Sequence, residues 1–428
     1  MQTVTIVGAG PAGLMLAHYL LARQQYRVEI YDRRPDPRQM EPSHRRTFPL
    51  SLQLRGIKAI QGVAGLERAI AAKGILAQGT LMHRKKGSPR QVQRRVPLLM
   101  IDRHQLILAL LEQLLKRYSP EQVSVQFDRA CTAVDLTGQT VTLQPQLGPA
   151  STIHFDRMVG ADGARSQVRD ALVDQAGLGC KQSYIPDVYK SVRIPRLNPA
   201  AAVELQEDRI HTWGLGTGRR LLMAPQPGDW LYGTLIFQPD RNPFETLPTA
   251  EAVLAFFQKN CPPLGQLMTL PAAESLRQGP ISKILSVKCD RMHVGDRVLL
   301  IGDAAHAVSP SIGQGCNASL QDAAVFVACL EQFQDDWKQA LPAFTAQRLP
   351  EAHALQALSD YSFPRSKRMM LEFVFWVTLG KKLGRWFPQV KSPMPLEMIM
   401  DGELPYSEVL KHCQGWVNRV KQSMQGAA

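Results

Sequence analysis

The chain has 428 residues, of which 45% are hydrophobic and 20% charged, and its net charge is +13. Such a composition is typical of a soluble globular protein with one large or two to three ordinary domains. The seven cysteines are scattered and include no CxxC pair, which argues against a disulfide scaffold or a zinc site and favours reduced thiols in a cytoplasm.

The positive charge suits an acidic partner, which can be nucleic acid, an anionic membrane surface or a phosphate-rich cofactor. The basic residues are spread along the chain without a nucleic-acid-binding motif, so we predict no nucleic-acid partner. No secretion signal opens the sequence, and no apolar stretch reaches the ~18 residues of a membrane span. We predict a cytoplasmic protein and leave open a weak membrane-surface contact through the basic, apolar segment 367–387.

The elements at the start of the chain predict a parallel sheet. Residues 3–8 read as a buried strand, 11–24 as a helix and 27–32 as a second strand, which together make a βαβ unit. A Pro- and Arg-rich loop follows at 33–49, and a helix at 102–118. Residues 154–172 predict a strand, a turn and a helix.

The middle of the chain, 181–284, has a different pattern. Short strands such as "RLLMAPQ" and "WLYGTLIFQ" alternate with turn residues, which predicts a mainly antiparallel sheet inserted into the α/β part. The α/β pattern resumes at "RVLLIGDAAH", and from about residue 318 the chain reads as helical.

A glycine-rich turn, "VGAGPAG", lies between the first strand and the first helix. Gly8 permits a tight turn, Gly10 lets a pyrophosphate approach the backbone, and Gly13 lets the helix pack closely on the strand. The helix N-terminus then faces the phosphates. Asp32 follows the next strand, where a carboxylate can bind ribose hydroxyls. The pattern predicts a dinucleotide site to which Pro11, Ala12 and Arg33 also belong.

A second glycine-rich entry into a helix, "GDAAHAVSPSIGQGCN", favours FAD over NAD as the dinucleotide. FAD is long, and its flavin half needs a contact region of its own. Asp303 follows a strand and can accept hydrogen bonds from ribityl hydroxyls. Pro310 and the loop from Gly313 to Gly315 expose backbone N–H groups at a helix start, which favours negative charge on a reduced flavin.

Three sequence motifs in this order, "GAGPAG", "GADGARSQVR" and "GDAAHAVSPSIGQGCNASLQDA", resemble those of the class A FAD-dependent aromatic hydroxylases. The resemblance extends to about residue 345. Within that family, "LSLQLRGIKAI", "LLMIDRHQL" and "ELPYSEVL" are most similar to the branch of kynurenine 3-monooxygenases and tryptophan-derived pigment hydroxylases. The resemblance implies that NADPH or NADH, a transient cosubstrate, reduces the FAD. The reduced FAD would then react with O₂ to form a C4a-hydroperoxyflavin, which hydroxylates a small aromatic metabolite.

The same resemblance implies roles for individual residues. Arg103 matches an arginine that contacts FAD, and Arg46 and Arg55 lie in a segment that lines the flavin. From its place in "GDAAH", His306 is expected to have a structural or flavin-loop role rather than to act as an acid or base. The remaining cofactor residues that the motifs imply are Asp162, Gly163, Gln314 and Asn317. No catalytic side chain or metal is assigned, because the flavin carries the chemistry.

We therefore predict an α/β fold with a discontinuous FAD-binding domain, a substrate domain and a C-terminal cap. The Rossmann-like FAD-binding domain has a parallel sheet and comprises 1–75, 100–180 and 285–345. The inserted, mainly antiparallel substrate domain comprises 76–99 and 181–284. Residues 346–428 form the helical cap. Oligomeric state is left open.

The proposed substrate site departs from the kynurenine hydroxylases. The arginine that grips the substrate carboxylate there is Thr80 here, and carboxylates appear at Asp360 and Glu397. Ile312 and Tyr361 complete the candidate substrate residues. A carboxylate beside a substrate carboxylate would repel it, so we predict that kynurenine is a poor substrate.

Other functions occur on the same fold. A flavin-dependent halogenase carries WxWxIP, and no tryptophan here is followed two residues later by another. A flavin reductase or a non-catalytic flavin-binding protein remains an alternative at the level of sequence.

Overall fold

The computed structural model describes residues 1–40, 48–84, 87–199, 203–216, 218–364, 369–373, 375, 398–399 and 402–425. Its strands are, in chain order, β1 (Gln2–Val7), β2 (Tyr26–Tyr31), β3 (Pro49–Leu52), β4 (Ile75–His83), β5 (Arg90–Asp102), β6 (Val123–Gln126), β7 (Arg129–Asp135), β8 (Thr140–Pro145), β9 (Ser151–His154), β10 (Arg157–Gly160), β11 (Cys180–Pro195), β12 (Leu197–Asn198), β13 (Val203–Glu204), β14 (Arg209–Gly214), β15 (Arg220–Gln226), β16 (Trp230–Phe237), β17 (Ser282–Cys289), β18 (His293–Val294) and β19 (Val298–Leu300). Its α-helices are α1 (Pro11–Ala22), α2 (Leu54–Gln61), α3 (Leu66–Ala71), α4 (Arg103–Arg117), α5 (Gln167–Ala176), α6 (Ala250–Asn260), α7 (Pro262–Leu267), α8 (Leu270–Gln278), α9 (Asp303–His306), α10 (Gly315–Gln332), α11 (Trp337–Tyr361) and α12 (Tyr406–Gln425).

A six-stranded sheet of order β18-β19-β10-β1-β2-β6 forms the first layer, and the predicted α/β fold is confirmed. The strands β19, β10, β1, β2 and β6 run parallel, and only β18 is antiparallel. Because parallel strands end at one edge, the turns after β1, β10 and β19 meet there. The sheet topology thus brings the three sequence motifs together.

An eight-stranded sheet of order β17-β11-β16-β15-β14-β4-β5-β3 forms the second layer. It is antiparallel except where β14 pairs with β4, which confirms the inserted, mainly antiparallel sheet. Successive side chains along each strand point to opposite faces of the sheet, and both faces carry apolar residues. On one face, Leu221 and Leu235 pack against helices, including Phe257 of α6, and the other face borders a cleft.

Some features of the fold were not foreseen from the sequence. Three helices, α6 to α8, lie within the inserted segment, where only strands were predicted. A separate three-stranded sheet, β7-β8-β9, packs beside α5. The edge strand β3 also belongs to the eight-stranded sheet, although residues 1–75 were assigned to the cofactor domain. The domain boundaries remain a prediction.

The C-terminal helices pack on the rest of the protein. Tyr406 and Val409 of α12 share an apolar cluster with Leu355 of α11 and with Ile312. Among the helices that the structure describes, none is long and apolar enough to cross a membrane. Leu371 and Phe375 are exposed, whereas residues 376–397 lie outside the described ranges. Membrane-surface contact stays a prediction, which co-sedimentation with anionic vesicles would test.

Candidate active site

A continuous cleft of about 3900 Å³ lies between the edge of the six-stranded sheet and the open face of the eight-stranded sheet. Pockets for small metabolites usually have volumes of about 300–1,000 Å³. The cleft is therefore large enough for an extended dinucleotide and a substrate together. Most of the motif residues predicted above line it, including Gly10, Asp32, Asp162, Asp303 and Gly313.

The three glycines of the first turn have different surroundings. Gly8 has a φ of +111°, and a Cβ there would lie 2.3 Å from the carbonyl oxygen of Ala161. A Cβ on Gly13 would lie 2.1 Å from the oxygen of Gly8, so this glycine allows close packing of helix on strand. A Cβ on Gly10 would meet only Arg103, at 3.8 Å, and would point into the cleft. These surroundings agree with the role predicted for each glycine.

Positive charge gathers beside this turn. Helix α1 begins at Pro11 without a side-chain cap, so its first N–H groups are available to an anion. The charge of Arg103 lowers the pKa of Arg34, with loss of hydration contributing further. Two guanidinium groups held this close favour an anion between them. The turn, the helix end and the arginines together fit a diphosphate.

Asp32 and Asp162 both organise backbone at the cofactor edge. Asp32 accepts hydrogen bonds from the backbone N–H of Ala9 and of Arg34, each at 2.8 Å. Asp162 accepts one from Gln167 N at 2.8 Å, and its second oxygen has no partner among the described residues. Burial raises the pKa of Asp162. Asp162 lines the cleft, but its unpaired oxygen is buried, so the structure shows this carboxylate shaping the backbone of the second motif.

A buried charge network holds the segment that carries Asp303. Asp322 accepts from Gly302 N at 2.8 Å, from His306 Nε2 at 2.6 Å and from Arg348 Nε at 2.8 Å. The charges of His306 and Arg348 lower the pKa of Asp322 to about 2 despite its burial. The structural role expected for His306 agrees with these contacts. Sequence reasoning missed both residues: Asp322 lies at the end of the third motif but was given no role, and nothing near Arg348 in the chain marks it as its partner.

Asp303 itself faces the cleft. Its side chain is exposed to the cleft, and the protein atoms that crowd around it raise the pKa of its carboxyl group, whereas nearby His306 and Arg103 act in the opposite direction. The short helix α9 begins at Asp303, and Gly302 before it provides no side-chain cap.

Arg169 connects the second and third motifs. It donates hydrogen bonds to the carbonyl oxygens of Ala164 and Ala304, at 3.0 and 3.2 Å.

Hydrogen bonds from buried side chains fix the glycine loop before α10. Asn317 Nδ2 donates to the oxygens of Ser51 and Gly313 at 2.9 and 3.0 Å, and its Oδ1 accepts from Gln53 N at 2.8 Å. Gln314 donates to Gln53 and accepts from Tyr406 Oη at 2.7 Å. These side chains bind protein atoms and shape the loop. Direct cofactor contact by Asn317 and Gln314 stays a prediction.

The guanidinium of Arg55 is directed to the C-terminal segment. Its Nη1 donates to Ile399 O at 2.7 Å, and the group stacks over the ring of Tyr406 at 4.4 Å. Arg55 is buried and does not line the cleft, so the structure supports a role in docking the cap rather than a flavin contact. Arg46 and Glu397 lie outside the described residues.

The second sheet carries a small apolar patch, part of which lines the cleft. This patch comprises Ala77, Leu98, Met100, Ile210, Leu222 and Ala224. Thr80, Ile312, Asp360 and Tyr361 also line the cleft. Met100 is the register partner of Ser51, whose hydroxyl would lie 2.8 Å from a Cβ on Gly313, so the patch adjoins the glycine loop.

Comparison with known proteins agrees with this geometry. Residues 1–359 match the model of the family described as "FAD binding domain". Kynurenine 3-monooxygenase of Salinispora arenicola is 31% identical over 96% of this chain and 90% of that protein, and the Sus scrofa enzyme is 30% identical over 98% and 88%. The chain belongs to the FAD-dependent monooxygenases. The resemblance inferred from its motifs is thereby confirmed.

Solved structures share the fold of this monooxygenase. 2-Methyl-3-hydroxypyridine-5-carboxylic acid oxygenase aligns with a TM-score of 0.69 at 22% identity, covering 85% of this chain and 91% of that one. Klebsiella pneumoniae HpxO complexed with FAD and uric acid aligns with a TM-score of 0.65 at 22% identity, covering 84% and 87%. At this identity the alignments establish the common fold.

The residues of the monooxygenase fit FAD. Gly10 leaves room at the turn, Arg34 and Arg103 favour an anion, and Asp303 presents a carboxylate farther along the cleft. When bound, FAD supplies the redox and oxygen-activating chemistry. The protein's own part is to hold the cofactor and to orient the substrate.

Replacing Asp303 by alanine is expected to weaken FAD binding by about 1.5–3 kcal/mol, which is roughly a tenfold to hundredfold rise in Kd, since a charged hydrogen bond is lost. Titration of the apoprotein with FAD, followed by flavin fluorescence, measures the change. Asp296→Ala, which removes a half-exposed carboxylate before the start of β19, at the other end of this strand, is the control. An unchanged Kd for the Asp303 variant would remove this residue from the cofactor site.

Proposed function

We propose that this monooxygenase hydroxylates a small aromatic metabolite, using O₂ and either NADPH or NADH, on the apolar patch. The observation that carries the proposal is the position of the patch, which adjoins the glycine loop at Met100 and Ser51. An aromatic ring on these apolar side chains would lose its water and lie beside the flavin half of the cleft. The curated relatives, named as kynurenine 3-monooxygenases, support an aromatic substrate.

The end of α11 would form the roof over this ring. Ser311 Oγ donates to Ser359 O at 2.5 Å, which ties the glycine loop to the last turn of the helix. Asp360 and Tyr361 follow directly and line the cleft. Burial raises the pKa of Tyr361, and the adjacent charge of Asp360 contributes to that shift. The roof therefore combines an aromatic side chain with a negative charge.

The charges near the patch favour a substrate that is neutral or cationic at its polar end. Thr80, on the patch side, provides a hydroxyl and no positive charge. Two like charges 4 Å apart cost about 4 kcal/mol at an effective dielectric constant of 20, which exceeds the ~1 kcal/mol of an added hydrogen bond. A substrate carboxylate close to Asp360 would meet this cost.

Basic side chains elsewhere in the cleft support a second candidate, kynurenine itself. Arg90 and Arg94 lie on β5, which also carries Leu98 of the patch, and both line the cleft. Either guanidinium would offset the missing arginine at Thr80 if the substrate carboxylate pointed toward β5. The names of the curated relatives favour kynurenine as the substrate, whereas the residues around the patch favour a substrate that is neutral or cationic at its polar end.

Kynurenine and its decarboxylated amine form a matched pair of test substrates. We expect kcat/KM for the amine to exceed that for kynurenine by at least about tenfold, because only kynurenine carries the repelled carboxylate. Coupled NADPH and NADH oxidation, with mass analysis for one added oxygen, measures both turnover and product. The Asp360→Asn substitution should reduce the difference in kcat/KM between the two compounds.

Efficient, tightly coupled hydroxylation of kynurenine would show that the charge argument is wrong. Loss of that activity in Arg94→Gln, with FAD still bound, would then identify the compensating cation. If neither compound nor a panel of indoles and phenols gains oxygen, the aromatic-substrate proposal itself fails.

A further inference from the structure

Two cysteine side chains face each other across neighbouring strands of the second sheet. Cys180 of β11 and Cys289 of β17 are register partners in an antiparallel pair, and their sulfur atoms lie 3.8 Å apart. Asp290 N donates to Gly179 O at 2.8 Å, which marks the adjacent pair as the hydrogen-bonded one. The cysteines therefore occupy a non-hydrogen-bonded position, where Cα atoms are about 4.5 Å apart, within the ~4.4–6.8 Å of disulfides.

The two thiols differ in environment. Cys289 is 2% exposed, whereas Cys180 is only half-buried. Burial raises the pKa of the Cys289 thiol, and the neighbouring Cys180 adds to this shift. Cys180 is thus the sulfur atom that an oxidant reaches, with Cys289 directly behind it.

The pair lies where the chain passes between the two large sheets. Strand β11 leaves α5 for the eight-stranded sheet, and β17 returns from it toward β18. Two residues before Cys289, Val287 N donates to Ala307 O at 2.8 Å, next to the segment that carries Asp303. His353 of α11 contacts Cys289 O at 2.8 Å. A bond between the cysteines would join both connecting strands beside the cofactor segment.

We propose that Cys180 and Cys289 form a reversible redox pair that closes to a disulfide in response to hydrogen peroxide. This oxidant is the compound released when a flavin monooxygenase reduces O₂ without hydroxylating a substrate. The inference does not depend on which aromatic substrate the enzyme uses.

The reaction balances in two steps. The Cys180 thiolate attacks one peroxide oxygen, the O–O bond breaks, and the leaving hydroxide takes up a proton to become water, which leaves Cys180 as a sulfenic acid. Cys289 sulfur then attacks Cys180 sulfur, the S–O bond breaks, and the Cys289 proton leaves with the oxygen as a second water. Two thiols and one peroxide thus give one disulfide and two waters.

Treatment of the reduced, FAD-loaded enzyme with one equivalent of hydrogen peroxide tests the pair. We expect non-reducing peptide mapping to show residues 180 and 289 in one linked peptide, and thiol titration to lose two of the seven thiols, both reversed by dithiothreitol. Closing a loop whose ends are 109 positions apart should also raise Tm by a few degrees. Thiol loss without this linked peptide, or linkage to another cysteine, overturns the proposal.

Variants assign the order of the two sulfurs. Cys289→Ser should leave Cys180 as a sulfenic acid that dimedone traps, because the resolving thiol is missing. Cys180→Ser should leave Cys289 unmodified at the same peroxide dose. Cys261→Ala, which removes a buried thiol elsewhere in the second sheet's core, should form the linked peptide as wild type does. Modification of Cys289 in the Cys180 variant would overturn the proposed order.

Discussion

Replacing Gly10 by valine should abolish FAD binding while the protein stays folded. A Cβ at Gly10 would meet no protein atom closer than Arg103 at 3.8 Å, so valine is sterically tolerated by the fold and extends into the region reserved for the diphosphate. We expect Kd for FAD to rise by at least about 100-fold, which corresponds to about 3 kcal/mol. Flavin absorbance of the purified protein and titration of the apoprotein measure the loss.

Gly13→Ala is the comparison that separates binding from folding. Its added methyl group would lie 2.1 Å from the backbone oxygen of Gly8, so helix α1 must move away from the sheet. Overpacking of this kind costs about 1–3 kcal/mol or more, and should appear as a lower Tm of the apoprotein. A Gly10→Val protein that binds FAD normally would show that the diphosphate does not approach this turn.

Removing the carboxylate of Asp322 should strongly destabilise the protein. Asp322→Ala would leave the guanidinium of Arg348 buried without its partner and would free Gly302 N and His306. Breaking a buried ion pair from one side costs about 3–5 kcal/mol of unfolding free energy. Urea unfolding measures the loss, and Glu403→Ala at the exposed pair with Lys58 should cost less than about 1 kcal/mol.

The same carboxylate predicts a pH dependence with a definite sign. Its pKa falls from an ordinary value of 3.8 to about 2 on folding, so the folded state favours the ionised form. This contributes about 2 kcal/mol of stability above pH 4, and the contribution is lost as the pH falls through about 2. The stability difference between wild type and Asp322→Asn should therefore shrink over that range. A difference that stays constant between pH 5 and pH 2 would contradict this account.

Much of the cofactor site was predictable from short stretches of sequence. The spacing of Gly8, Gly10 and Gly13, with a strand before and a helix after, requires only a few consecutive residues. The turns after β1, β10 and β19 could also be expected to meet, because strands in a parallel sheet end at one edge. The antiparallel insertion was predicted from alternation and turn residues.

Other features depend on residues that are distant in the chain. Asn317 reaches Ser51 across 266 positions, and Arg55 reaches Ile399 across 344. From its sequence position Arg55 was expected at the flavin, and only the packing of the C-terminal segment turns it toward Tyr406. The helices α6 to α8 were missed because their apolar residues serve the inserted sheet's core and were read with its strands.

The sequence by itself determined the βαβ unit, the glycine turns and the family, because backbone conformation at a turn and the period of apolar residues are local properties. Only the tertiary structure decided which charges share a buried site, as with Asp322 and Arg348, and which cysteines face each other, as with Cys180 and Cys289. Strand register and helix packing set those pairs, and a side chain acquires its partner only when distant segments have been brought together.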